Sequence, residues 1–158
     1  DDVAFVYNEG LFAGTSDTTF SPDATCTKAQ ILTFLWRAVG SPTPNISNPF
    51  ADTSSSDYYY GAAIWAYEKG MVSGNLFKGD TPCTRSSTVM YLWKNAGMPR
   101  VDTSSDFSDI SPLDEYSDAV SWAVENNVTL RTSETTFSPD DICSRGQIVT
   151  FLNRAISE

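Results

Sequence analysis

Three times along the chain a hydroxyl residue and a short polar stretch precede a dense apolar run. The runs are Ile31-Leu32-Thr33-Phe34-Leu35-Trp36-Arg37, Thr88-Val89-Met90-Tyr91-Leu92-Trp93-Lys94 and Ile148-Val149-Thr150-Phe151-Leu152-Asn153-Arg154. The pairs Leu32/Leu35, Val89/Leu92 and Val149/Leu152 recur at one spacing, with Val39, Ala96 and Ile156 four residues on, which defines a helix face. Ile31, Phe34, Trp36, Tyr91, Trp93, Ile148 and Phe151 occupy other sides, so these helices are expected to be enclosed and to form the core. Thr27, Thr84 and Ser144 are placed to cap them. Gln30 and Gln147 complete capping boxes, whereas Ser87 is too short to reach back. Gly40 and Gly97, followed by Pro42 and Pro99, predict the stops.

A second helix type alternates with the first. Tyr59, Ala62, Trp65 and Ala66 lie on one apolar side, and Tyr116, Ala119, Trp122 and Ala123 repeat the pattern. Gly70 and Asn127 end these helices, and Val3 to Gly10, with Phe5 in the tryptophan's place, reads as the tail of an earlier one. Phe50-Ala51-Asp52 and Phe107-Ser108-Asp109 open the second and third copies. The proline-rich Ser41 to Pro49 and the polar Met98 to Asp106 are connectors. The internal period divides the chain into repeats at 1–40, incomplete at its start, 50–97 and 107–158, together one all-α domain. Between the two helices of each copy lies a loop of turn formers, anchored in the first by Phe20. The middle loop is shorter, and Arg131 stands where the other copies carry Gly14 and Gly74, so a glycine-only backbone is not expected there.

Lys28, Arg85 and Arg145 each follow a cap. A cation in the first helical turn opposes the macrodipole by roughly 0.3 to 1 kcal/mol. Three matching misplacements argue for a use, and beside free amides that use is to hold an anion. The alternative is that each side chain points to water or pairs with a carboxylate. On the anion reading, Arg85→Ala and Arg145→Ala leave stability unchanged or slightly raised. Arg37, Lys94 and Arg154, in last turns, suit the dipole and are structural.

The net charge of −10, without any cluster of basic residues, excludes a nucleic-acid partner. No apolar run approaches membrane-span length, so a soluble chain without membrane insertion is expected. Cys26, Cys83 and Cys143 each sit just before a cap and read as small buried groups, against a thiolate metal site on a pseudo-three-fold axis. There is no histidine, which removes the usual nucleophile pairs. Carboxylates show neither an acid/base pair nor a calcium-loop pattern. The chain is therefore read as a binding module and not an enzyme, with no cofactor and no metal.

Taken in order, Phe50-Ala51-Asp52, the Tyr59/Trp65 helix, Gly70-Met71-Val72-Ser73-Gly74 and Thr84-Arg85 resemble a surface-layer homology repeat, and three such repeats cover nearly the whole chain. The resemblance implies three helix-loop-helix repeats in a pseudo-three-fold arrangement around a central bundle of three helices. It implies non-covalent anchoring of a surface protein to the bacterial cell wall, through anionic, often pyruvylated, secondary wall polysaccharide held in grooves between repeats. Carried over by position, the anion contacts are Arg85 and Arg145, with Lys28 less suited because an ammonium lacks the planar fork. Trp65 and Trp122 become aromatic walls, Asp52 and Asp109 accept from sugar hydroxyls or cap, and Gly74 lines the site. Gln30, Ser87 and Gln147 replace the family's glutamate, and Ser86 and Gly146 its alanine. The competing reading is an architectural or adhesive module that mediates subunit assembly or binds a host protein, and self-association in a surface layer is left open.

Overall fold

Thr27 begins the first helix with a complete capping box: its Oγ1 accepts from the Gln30 amide, and the Gln30 side chain accepts from the Thr27 amide. Ser144 and Gln147 repeat the exchange. Thr84 caps through the Ser87 amide alone, since the Ser87 hydroxyl turns to the Thr84 hydroxyl instead of its amide. A computed structural model describes residues 19–102 and 106–156. The expected helix tail at Val3 to Gly10, with Phe5, and also Gly14, lie outside the described residues.

The described residues contain five helices: α1 (Lys28–Ala38), α2 (Tyr60–Glu68), α3 (Arg85–Asn95), α4 (Ser117–Glu125) and α5 (Arg145–Ile156). Helices α1, α3 and α5 each touch the other two and form the hub. Leu32, Leu35, Val89, Leu92, Val149 and Leu152 meet there, none more than 2% exposed. The helix face ends one turn earlier than its spacing suggests. Val39 and Ala96 are the C-cap residues of α1 and α3, Ile156 is the last residue of α5, and all three are exposed because they lie past the hub. Gly40 and Gly97 take the left-handed backbone (φ +88° and +86°) that stops the hub helices, and Gly70 and Asn127 (φ +69° and +54°) do so for α2 and α4.

The outer helices cross the repeat boundaries. Helix α2 packs on α1, from the preceding repeat, and α4 packs on α3. Trp36 explains part of this choice: its ring lies against Gly61, where an added Cβ would sit 3.0 Å from the indole. The outer edge of that indole donates to Pro42 O at 2.9 Å, and Trp93 does likewise to Pro99 O at 3.0 Å. Each packed lobe therefore combines the second helix of one sequence repeat with the first helix of the next.

On the pseudo-three-fold axis the three cysteines close a ring of main-chain hydrogen bonds. Cys83 N donates to Cys26 O at 2.9 Å, Cys143 N to Cys83 O at 2.8 Å and Cys26 N to Cys143 O at 3.0 Å. Isolated bridges Thr25–Ser144, Thr27–Pro82 and Thr84–Ile142 flank it. The thiols are buried, and burial pushes those of Cys26 and Cys83 up to about 12. Among the described residues no group of three His, Cys, Asp or Glu side chains is placed to hold a metal ion, and no helix is long and apolar enough to cross a membrane.

Two outcomes test this packing. Leu35→Ala, Leu92→Ala and Leu152→Ala each lower the unfolding free energy by about 2 to 5 kcal/mol in urea titration, because the closed hub cannot collapse into the space. All three thiols stay unreactive toward a chromogenic disulfide reagent at neutral pH until denaturant is added, since protonated, buried sulfurs are poor nucleophiles.

Candidate functional site

A helix start normally leaves its first amides without partners. At each hub helix the next repeat fills them. Lys28 N and Ala29 N donate to Thr81 O and Gly79 O, both at 2.9 Å. Arg85 N and Ser86 N donate to Asp141 O and Pro139 O at 2.9 and 3.0 Å, and Arg145 N and Gly146 N to Ala24 O and Pro22 O, both at 2.8 Å. The third amide of each start goes to the cap hydroxyl. The expected free amides are thus occupied, and loop carbonyls stand where an anion was placed by the sequence reading. Gly146 serves this approach, since a Cβ there would meet Pro22 O at 3.3 Å.

The cationic side chains follow the same logic. Arg85, 6% exposed, donates from Nε to Phe137 O at 2.9 Å and from Nη2 to Leu130 O at 2.8 Å, with a longer contact to Thr129 Oγ1. Its guanidinium lies 4.6 Å from the Phe137 ring centre and 5.6 Å from that of Phe151. Arg145, 3% exposed, donates from Nε to Phe20 O at 3.0 Å and sits between the rings of Phe20 and Phe34. Charge-assisted bonds to carbonyls and cation–π contact stabilise a buried guanidinium that water no longer solvates. Both arginines are inter-repeat clasps, so the sequence expectation that their loss leaves stability unchanged is reversed. Arg85 nevertheless retains an open edge. Nη1 has no acceptor among the described residues, yet it is not sealed, because Thr53 Oγ1 is the single buried side-chain polar atom without a partner there.

Lys28 differs. Its Nζ lies 5.0 Å from the Phe77 ring centre and makes no hydrogen bond or ion pair among the described residues. Burial lowers its pKa, partly opposed by the charge of Asp52. Phe77 in turn stacks on Tyr59 at 5.3 Å, and Tyr59 meets Tyr58 edge-on at 5.1 Å. Tyr58 is 61% exposed, so a stair of rings leads from solvent to the ammonium. In the third repeat Glu115 replaces Tyr58 and removes the outer step. The ring beneath each cation, Phe20, Phe77 or Phe137, was visible in sequence as a repeated residue but carried no signal of its partner.

Asp52 and Asp109 cap the loop. Asp52 receives the Phe77 and Lys78 amides at 2.7 and 2.8 Å, and these bonds hold its carboxyl below the usual range. Asp109 receives those of Phe137 and Ser138. Lys78 and Ser138 take positive φ (53° and 59°), and the paired amides compensate that conformation. Gly74 also has positive φ (+88°), while Arg131, its counterpart, does not. Instead Arg131 donates to Glu134 O and covers the Phe107 ring. Trp65 and Trp122 are buried. Trp65 lines a pocket with Lys94, nine positions along α3 from Arg85, or about 14 Å of helix axis away. The structure therefore places Trp65 beside Lys94, away from Arg85.

Sequence comparisons agree with this arrangement. The model of the S-layer homology domain matches residues 1–32, 49–88 and 106–149. The chain is 36% identical over 69 residues to an endoglucanase of Bacillus sp. (strain KSM-635), covering 44% of this chain and 7% of that protein. It is 27% identical over 75 residues to endo-1,4-beta-xylanase A of Thermoanaerobacterium saccharolyticum and to the amylopullulanase of Thermoanaerobacterium thermosulfurigenes, in each case 48% of this chain. These matches span 6% and 4% of the respective relatives. With three matched segments, the cyclic hub and the repeated hydroxyl-cation starts at Thr27, Thr84 and Ser144 in agreement, the chain belongs to the S-layer homology domain family.

Proposed function

We propose that this chain attaches a surface protein to the bacterial cell wall by binding acidic wall polysaccharide at the junctions between repeats, without catalysing a reaction. The observation that carries this reading is Lys28, an ammonium partly withdrawn from water, without a hydrogen-bond acceptor among the described residues, at the foot of the Tyr58–Tyr59–Phe77 stair. A desolvated cation without an acceptor favours an anion, and exposed rings favour the apolar faces of a sugar. A carboxylate such as a pyruvyl ketal on an amino sugar suits both. At the second junction the open Nη1 edge of Arg85 offers a weaker version, because most of its fork is engaged by carbonyls. The relatives carry enzyme names, but similarity confined to a few per cent of their length supports a shared attachment module and not shared chemistry.

Co-sedimentation with purified walls, before and after mild acid removes pyruvyl groups, tests the reading. Lys28→Gln lowers retention about tenfold, as loss of one charge-assisted contact implies, with an unchanged melting temperature. Equal retention on treated and untreated walls overturns pyruvate recognition.

The pH dependence has a definite sign. The protonated amine binds and its pKa lies below the usual 10.5, so retention declines as pH rises through that lowered value while the ligand carboxylate stays ionised. Lys28→Arg removes the decline, because a guanidinium does not titrate there.

Arg85→Ala behaves oppositely. It lowers unfolding free energy by about 2 to 4 kcal/mol, through loss of the bonds to Phe137 O and Leu130 O, as measured by thermal and urea denaturation.

A further inference from the structure

At the far end of the hub from the caps, a pocket of about 450 Å³ opens between the last turns of α1 and α3 and the end of α2. Such a volume falls within the range of small-molecule sites. Its apolar wall is formed by Val39, Pro42 and Met71, and its polar side chains are Lys69, Lys94, Asn95 and the Trp65 indole. No carboxylate is among the described lining residues, although acidic residues outnumber basic ones two to one in the chain, 20 against 10.

Trp65 is the informative member. It is 2% exposed. The indole N–H of Trp36 and that of Trp93 each find a proline carbonyl, but that of Trp65 makes no hydrogen bond among the described residues. Nor is it sealed, since Thr53 Oγ1 is the single buried, unpartnered side-chain polar atom among the described residues. Trp65 thus lines the pocket with an indole donor that no described residue satisfies. Lys94 donates one bond to Gly70 O at 3.1 Å, leaving two of its three donors, and the Lys69 side chain makes none among the described residues. The pocket therefore gathers an indole and two ammonium groups over an apolar wall, with Asn95 beside them and no carboxylate to neutralise the charge.

We propose that this pocket is a second binding site, separate from the Lys28 junction, for a monosaccharide-sized anion: a sugar bearing a carboxylate or a phosphate monoester. The acid group lies between Lys69 and Lys94 and accepts from the Trp65 indole, while the ring covers Met71 and Pro42. The chain supplies its own control. The corresponding place in the third repeat is lined by Asn126, Asn127, Leu130 and Arg154, so Asn126 replaces Lys69 and the Trp122 indole is not part of the wall. That pocket has one cation and is expected to bind less.

The test follows the assigned Trp65 indole N–H cross-peak by NMR at constant ionic strength, during titration with glucuronate, glucose 6-phosphate and neutral glucose. A saturable shift with either acid, absent with glucose, supports the site, and the acid that produces it identifies the anion. Lys69→Asn, which copies the third repeat, and Lys94→Gln each weaken the response about three- to fivefold, the first with an unchanged melting temperature and the second with a slightly lower one through loss of the bond to Gly70 O. Failure of both acids to move the peak, an equal shift with glucose, or an undiminished response in both variants overturns the proposal. Because Lys28 lies at the opposite end of the hub, Lys28→Gln leaves this titration unchanged, so loss of wall retention and loss of this pocket are read separately.

Discussion

Everything in this fold depends on how three helix starts are completed. A helix N-terminus carries amides that its own turns cannot satisfy, and burial makes leaving them unpaired costly. Here each start takes its carbonyls from the loop of the next repeat, and the cysteine ring joins the three arrangements into a cycle. No sequence repeat is complete by itself. The second helix of one and the first helix and loop of the next form the packed lobe, which makes the unit of sequence and the unit of packing differ by half a repeat.

The same constraint explains the basic residues. A cation in the first turn opposes the macrodipole when the amides are bare. Once loop carbonyls satisfy those amides, other carbonyls of the same loops accept from the guanidiniums of Arg85 and Arg145. Lys28 has the position without the fork. It reaches the aromatic ring but no carbonyl, and the charge left over is what makes the first junction chemically distinct from the second. Three places related by pseudo-symmetry thus divide between holding the domain together and remaining open to a ligand.

Much of this was legible in the residues. The capping boxes at Thr27 and Ser144, the short Ser87, the stops at Gly70 and Asn127, the buried leucine pairs and the buried cysteines follow from local periodicity and side-chain reach, and the structure shows each of them. The offset between repeats and lobes was not legible, because periodicity says which face is apolar but not which neighbour covers it. For the same reason the cations were recognised as unusual while their partners were missed: a main-chain carbonyl leaves no mark in a side-chain pattern. Trp65 was assigned to the same site as Arg85 by the resemblance, which carries residues over by their place in the repeat. Recurrence fixes a residue's place within its own copy, and the axial rise along α3 then carries the two apart.

The ring also bears on how such a module carries load. An open stack of repeats has two free edges, and tension on either end can peel it one unit at a time. Here Arg145 reaches back to Phe20 and Cys26 to Cys143, so the last copy fastens the first. Pulling on the chain must shear contacts on several sides of the hub at once before any one copy comes away, which gives a tether that yields abruptly at high force instead of unravelling gradually.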